Sequence, residues 1–293
     1  MKSIAFQRIG WRTAVAVLGL WGVVGGALAR QELASELTWE QIRPGLRYAQ
    51  QDIAIPGAQA VHRLHWLALD LAQPDLYLML TPQACAGVRM STWDLPPVVA
   101  SVNASFFTRE FFTRGHTVSQ GKPWAGSLRH IESPLAACSP NRECEVVHQP
   151  PAGAAPDWQE VAAGVHSLVL GGVARTPEDD AQCGSFCSAA HPRSAVGLDS
   201  RRRTMVWVAA EGRQKYAVGL PLATLASLMA RQGVAEAINL DGGGSTSMHI
   251  KGQRRTGRPD NEPEMRRIAN AWIISTRADI DWSLACAGKE PVP

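Results

Sequence analysis

The sequence carries no surplus of basic charge outside its N-terminal stretch. Its formal net charge of +3 is accounted for by Lys2, Arg8 and Arg12, and no acid stands among residues 1–29. The remainder is neutral, so the concentrated basic surface that nucleic-acid binding needs is missing. The G-x-x-x-x-G-K-[ST] loop that cradles nucleotide phosphates is absent too. No loop of regularly spaced oxygen ligands suggests calcium, and no cysteine pair has C-x2-C spacing with a matching second half. Nucleic acid is therefore not an expected partner, and no metal or other cofactor is expected.

What is present begins with an export signal. The basic residues precede a charge-free apolar run from Thr13 to Ala29, which ends in the small-x-small triplet Ala27-Leu28-Ala29. A run of 17 residues is at the short limit for crossing a bilayer. Residues 1–29 are expected to be a cleaved signal peptide, with an uncleaved anchor as the alternative. Either way the body lies outside the cytoplasm, periplasmic or secreted, with no membrane span after cleavage. All six cysteines follow this segment, an even number in an oxidising compartment. CSPNREC closes Cys138 to Cys144 and CGSFC closes Cys183 to Cys187, leaving Cys85 and Cys286 to tie the early body to the C-terminus.

Hydrophobic content of 45% supports a sizeable core. Residues 30–59 read as a lead-in, 60–277 as one domain and 278–293 as a tail. AVHRLHWLALDL and LYLML are strand-like, separated by the turn Gln73-Pro74-Asp75. His62 and His65 fall on opposite strand faces, which makes them structural. Val98–Val102 is a strand that delivers Asn103 to its end. The phenylalanine pairs at 106–107 and 111–112 either fill core or wall a pocket. Residues 133–160, rich in proline, read as a long loop, and TPEDDAQCGSFCSAAH as a polar loop with a solvated acidic run. PRSAVGLDSRRRTMVWVAAEGR is a hairpin. LPLATLASLMARQG has its leucines on one helical face, with Pro221 in the first turn and Gly233 as the cap. Hairpin signals outnumber helices between strands, so the fold class is α+β: a large, mostly antiparallel or mixed twisted sheet with a few packed helices in a single domain.

The centre of the chain is AINLDGGGSTSM, residues 237–248. A short apolar strand runs out at Asp241, three glycines follow, and then Ser245, Thr246 and Ser247. Consecutive glycines forfeit packing and cost backbone entropy, so they imply a tight turn or a close approach of backbone N–H groups to an anion.

VNASFF (102–107), PRSAVGLD (192–199) with AAEGRQ (209–214), INLDGGGSTSM (238–248) and RRIANAWII (266–274) together resemble, in order, the phosphodiester glycosidase domain family. The resemblance covers roughly residues 60–277. It implies hydrolysis of the bond between a sugar's anomeric carbon and a phosphate oxygen in a sugar-1-phosphodiester or envelope glycan. One position departs: Glu211-Gly212-Arg213 stands where the family usually has Asp-Gly-Arg.

A phosphodiester anion leaves with little help from a proton donor, so the usual pair of glycosidase acids is not obligatory. Asp241 is the leading candidate for general base or electrostatic stabiliser, with Glu211 second and Asp199 third. Gly242, Gly243 and Gly244, with the hydroxyls of Ser245 and Thr246, would cradle phosphate, and Arg193 would pair with it bidentately. Asn103 would bind a sugar hydroxyl or amide. Arg267 and Asn270 match family positions near the site, and His191 reads as a loop residue. The competing reading is a non-catalytic glycan-binding or polysaccharide-assembly protein on the same scaffold.

Overall fold

The computed structural model describes residues 37–93, 96–127, 133–150 and 157–286. The segment read as an export signal and the first residues of the lead-in, up to 36, lie outside the described residues, as does the tail beyond 286. The largest element is an eight-stranded antiparallel sheet. Its order is Glu40–Arg43, Leu46–Ala54, Val61–Asp70, Thr204–Ala210, Arg193–Asp199, Val234–Leu240, Ser167–Leu170 and Val173–Ala174. The hairpin read from PRSAVGLDSRRRTMVWVAAEGR sits at its centre, paired from Arg193 with Ala210 to Leu198 with Met205. Val234–Leu240, which leads into the glycine motif, pairs with the other edge of the same strand.

These central strands are apolar on both faces because both faces are covered. One face carries Leu67, Trp207, Val196 and Ile238, and packs against a second sheet that supplies Val102, Trp272 and Met248. The other carries Trp66, Val208, Ala195 and Ala237, and packs against the helix Leu222–Arg231. That is why AVHRLHWLALDL alternates poorly: Leu64 to Leu69 are buried without a break.

The second sheet has the order Gln253–Arg254, Met248–Ile250, Val98–Asn103, Ala271–Ser275 and Tyr77–Leu80. A third sheet, Lys122–Pro123, Val118–Ser119, Glu160–Ala163, Leu135–Cys138 and Cys144–Val147, occupies much of the stretch read as a loop. Its LAAC and EVAA segments are wholly buried runs of small residues without alternation, which is why they carried no strand signal. The buried Glu160 ties this sheet in, accepting from the Leu80 N–H at 2.8 Å and the Gln120 N–H at 3.1 Å. The fold is thus α+β with mostly antiparallel sheet, as expected. The cysteines join as Cys85–Cys286, Cys138–Cys144 and Cys183–Cys187. Among the described residues no helix is long and apolar enough to cross a membrane.

The polar loop around 175–190 is also folded. Pro177–Gln182 and Ser185–Ser188 are short helices, the first opened by Thr176 and Asp179 in a reciprocal capping box. Asp180 is not solvated. It is 2% exposed, pairs with Arg175 at 2.7 Å, and accepts the Ala223 N–H at 2.9 Å. It therefore caps the helix Leu222–Arg231 from outside, supplying the acceptor that Pro221 at the N-cap lacks.

Asp180→Ala is expected to lower unfolding free energy by about 3 kcal/mol, since it strands a half-buried guanidinium and a helix N–H. Urea denaturation measures this, and an unchanged midpoint would restore the solvated role.

Candidate active site

Several chain ends meet at one edge of the central sheet. Ser194 pairs with both Ala209 and Leu240, so Glu211 and Asp241 emerge on either side of the strand that starts at Arg193. Two strand spacings separate their backbones, about 10 Å. From the second sheet comes the end of Val98–Asn103.

The two sheets are locked together here by hydrogen bonds. The Asp241 N–H donates to the Ala104 carbonyl at 2.9 Å, and the Asn103 side-chain N–H donates to the Asp241 carbonyl at 2.6 Å. Asn103 Oδ1 accepts the Ser194 hydroxyl at 2.7 Å and the Ser247 N–H at 3.1 Å. Asn103, expected to hold sugar, is buried here and braces the motif turn through its amide. Asn270 is another brace: its Oδ1 accepts the Ser105 N–H at 2.8 Å and its Nδ2 donates to the Ser105 hydroxyl at 3.1 Å.

The glycines earn their place by close approach. A Cβ on Gly242 would stand 2.6 Å from the Pro192 carbonyl oxygen, and one on Gly244 would collide with Glu262 and lie 2.6 Å from the Arg266 guanidinium carbon. Gly243 has φ +60°, and its Cβ position lies 3.3 Å from Arg213 Nη1. Two of the expected phosphate donors are already committed. The Gly242 N–H donates to Asp241 Oδ1 at 3.0 Å and the Gly243 N–H to the Pro192 carbonyl at 2.9 Å. The turn is shaped to let Arg213 and Arg266 come near, rather than to form an open nest of three glycine amides.

Arg193 is committed as well. It is 3% exposed and donates to the carbonyls of Leu220 at 2.9 Å, Phe186 at 2.7 Å, Ala189 at 3.1 Å and Cys187 at 3.4 Å. Its guanidinium is occupied by loop carbonyls. Arg266, the neighbour of the expected Arg267, stands against Gly244. Arg213, Arg266 and Arg114 are all exposed at their side chains, and the last two draw the Asp241 pKa down. None of these three was singled out from sequence as a site residue, although Arg213 and Arg266 lie inside the quoted motifs.

Asp241 is half-buried, yet its carboxyl is crowded by protein. Burial pushes its pKa up to about 6, against opposing pulls from Ser245, Arg266, the Gly242 N–H and Arg114. The Ser245 hydroxyl faces this carboxyl without meeting it in a regular hydrogen bond. Ser245 and Thr246 are 2% and 3% exposed, and their hydroxyls have no hydrogen-bond partner among the described residues. Buried hydroxyls left in that state are unusual and mark a polar lining.

Glu211 lies in a different environment. His65 joins it to Tyr48, with Nε2 at 2.7 Å from Glu211 Oε1 and Nδ1 at 2.7 Å from the Tyr48 oxygen. Burial pushes the Tyr48 phenol up to about 12, so it keeps its proton and donates to Nδ1, which leaves Nε2–H to donate to Glu211. Burial would also raise the Glu211 carboxyl. The His65 hydrogen bond, the Gly257 N–H and the nearby Arg63 charge outweigh that and hold it below its ordinary value. Glu211, the second catalytic candidate, is thus a buried carboxylate already hydrogen-bonded to His65 and to the Gly257 N–H. His62 has a separate partner, the Gly219 carbonyl at 2.7 Å. Asp199 accepts the Arg203 and Thr204 N–H groups in the hairpin turn, about 20 Å along the strand from Arg193. His191 lies within 3.4 Å of Arg213, and its pKa is lowered by burial and by the Arg193 and Arg213 charges.

A profile of the phosphodiester glycosidase family matches residues 97–275, which includes Asn103, Arg213, Asp241 and Arg266. No curated protein matches the chain by sequence. Among solved structures, a hypothetical protein from Synechocystis superposes with a TM-score of 0.65 at 15% identity, covering 83% of this chain and 64% of that one. The chain thus spans less than two thirds of that protein. The catalytic domain of zebrafish N-acetylglucosamine-1-phosphodiester alpha-N-acetylglucosaminidase, auto-inhibited by its pro-peptide, also gives 0.65, at 20% identity and with 81% and 86% covered. At these identities the likeness is one of fold.

Replacing Asn103 by Ala removes three hydrogen bonds from buried partners. The expected loss is about 2–3 kcal/mol in thermal or urea unfolding. A residue serving only as a sugar ligand would leave stability unaltered.

Proposed function

The chain belongs to the phosphodiester glycosidase family, and from that premise we propose that it is an exported hydrolase. It cleaves the bond between a sugar's anomeric carbon and phosphate in a glycan phosphodiester. Three disulfides support a body that matures outside the cytoplasm. Residues 1–29 serve as its signal, ahead of a lead-in to 59 and a catalytic domain over 60–277.

One observation carries the chemistry: the Asp241 carboxyl, pushed up by burial to about 6, beside Arg213 and the Arg266–Glu262 ion pair. A group with that pKa is mostly ionised at neutral pH yet basic enough to take a proton, the range in which a general base works best. In the proposed reaction Asp241 takes the proton of the attacking water, or stabilises the oxocarbenium-like centre as the C–O bond breaks. The electron pair of that bond leaves with the phosphate oxygen. Arg213 and Arg266, with Arg114 beyond them, neutralise the departing phosphate, so no acid is needed on the leaving-group side. The buried Ser245 and Thr246 hydroxyls, without hydrogen-bond partners among the described residues, donate to substrate oxygens. Asn103, Asn270 and the Glu211–His65–Tyr48 chain hold the frame.

The pH profile tests this. Because the pKa is raised, activity that needs the carboxylate rises with pH through about 6 and then levels. The same shift acts oppositely on stability: Asp241's contribution is full below the ordinary carboxylate pKa and is lost as pH rises through about 6. Asp241→Asn is expected to lower kcat by about 100-fold or more with glycan binding retained. A panel of sugar-1-phosphodiesters assayed for released sugar measures both. Loss of binding without any turnover in the parent protein would favour the non-catalytic glycan binder.

A further inference from the structure

Phe186 is an exposed aromatic ring on a segment held with unusual firmness. It is 40% exposed and lies in the short helix Ser185–Ser188, whose loop is closed by the Cys183–Cys187 bridge. Arg193 donates to the carbonyls of Phe186, Cys187 and Ala189, and its guanidinium carbon stands 5.5 Å from the centre of the Phe186 ring. Arg175 lies 3.7 Å from both sulfurs of the bridge while paired with Asp180. An exposed phenylalanine needs no such scaffold merely to sit in water.

Two other rings flank it. Phe106, half-buried, has its ring centroid 6.1 Å away with the planes tilted by 53°, and His166 lies 5.8 Å away at 47°. His166 occupies the left-handed region with φ 67°, a conformation that costs a non-glycine residue about 1 kcal/mol or more. It is held there by the strand that ends in the motif: the Asn239 N–H donates to the His166 carbonyl at 3.1 Å, and the Val165 N–H to the Asn239 carbonyl at 2.9 Å.

Each support of this cluster leads to Asp241. Arg193 begins the strand beside it, since Ser194 pairs with Leu240. His166 is bonded to Asn239, two residues before it. Phe106 follows Asn103 and Ala104, which hold the Asp241 backbone, and the Phe106 carbonyl accepts the N–H of Arg114 at 2.7 Å. The elements that carry the aromatic cluster and those that carry Asp241 are therefore bonded to one another through the backbone at the same strand ends.

The geometry points to a carbohydrate subsite in which Phe186, flanked by Phe106 and His166, stacks against the pyranose ring of the substrate while the arginines take its phosphate. This assignment rests on the hydrolase function proposed above and adds the surface that selects the sugar. A pyranose has one face made largely of C–H bonds, apolar enough to pack on an aromatic ring, while its hydroxyls at the rim seek hydrogen bonds. Burial and the neighbouring arginines lower the His166 pKa, which favours a neutral ring able to accept or donate at that rim. Arg193 thus acts through Phe186 as a positioning residue.

The test compares Phe186→Ala and Phe186→Trp with the parent chain. In Phe186→Ala the KM for a sugar-1-phosphodiester is expected to rise about tenfold with little change in kcat, inhibition by inorganic phosphate staying the same. Phe186→Trp keeps the KM within about threefold of the parent. Saturation-transfer NMR with phosphate-free methyl hexopyranosides supplies a readout independent of hydrolysis. Ring protons of the sugar gain saturation from the parent and from Phe186→Trp, and lose it with Phe186→Ala. Hydrolysis with an unchanged KM in Phe186→Ala overturns the subsite and keeps the hydrolase. Sugar stacking in a parent chain that cleaves no phosphodiester does the reverse. A parallel loss of phosphate inhibition in Phe186→Ala would mean the loop had collapsed and would also overturn the subsite.

Discussion

The backbone of Asp241 is held from the neighbouring sheet at both its N–H and its carbonyl, and the rest of the site depends on that constraint. Ala104 accepts the one and the Asn103 amide donates to the other. A residue just past a strand end is ordinarily free to turn in several ways. Here the second sheet fixes which way it turns, and Asn103 holds Ser194 and Ser247 in the same grip. The glycines can then fold tightly against Pro192, and Gly244 leaves room for the Glu262–Arg266 pair that a Cβ would exclude.

On that frame the two acids at the sheet edge separate in character. Both are taken out of water, which alone would raise both. Glu211 receives a hydrogen bond from a histidine whose tautomer is fixed by a buried phenol, and its carboxyl falls below the ordinary value. Asp241 has more distant charges and weaker donors, so burial wins and its carboxyl rises to about 6. Two carboxyls whose surroundings drive them apart are suited to different tasks, and Glu211 is the one anchored by hydrogen bonds. The anchor here is the residue at which the chain departs from the family pattern, and its longer side chain is matched by a partner, His65, that reaches it.

Much of the architecture could be read from residue order. The central hairpin, the helix after Pro221, the strand into the glycines and the three cysteine pairs all follow from local pattern and compartment. What escaped were features decided by tertiary contact. LAAC and EVAA are strands because other layers cover them, and alanine-rich runs announce no strand by themselves. Asp180 looked solvated among acids, but a helix end and Arg175 bury it. Within the site, Asp241 and the glycine turn were visible as a break between strand and hydroxyls. Which arginine faced the turn was not, because Arg193 and Arg213 are both motif residues and only the surrounding carbonyls distinguish them. Arg266 and Arg267 differ by one step along the chain, which no spacing rule resolves.

The most direct test of Asp241 opposed by Arg213 and Arg266 is a crystal structure of the Asp241→Asn protein with an uncleaved sugar-1-phosphodiester. The phosphate oxygens should lie within hydrogen-bonding distance of both guanidinium groups, with the anomeric carbon facing residue 241. A phosphate seated on the Gly242 and Gly243 amides, or a sugar turned away from residue 241, would contradict this division of roles.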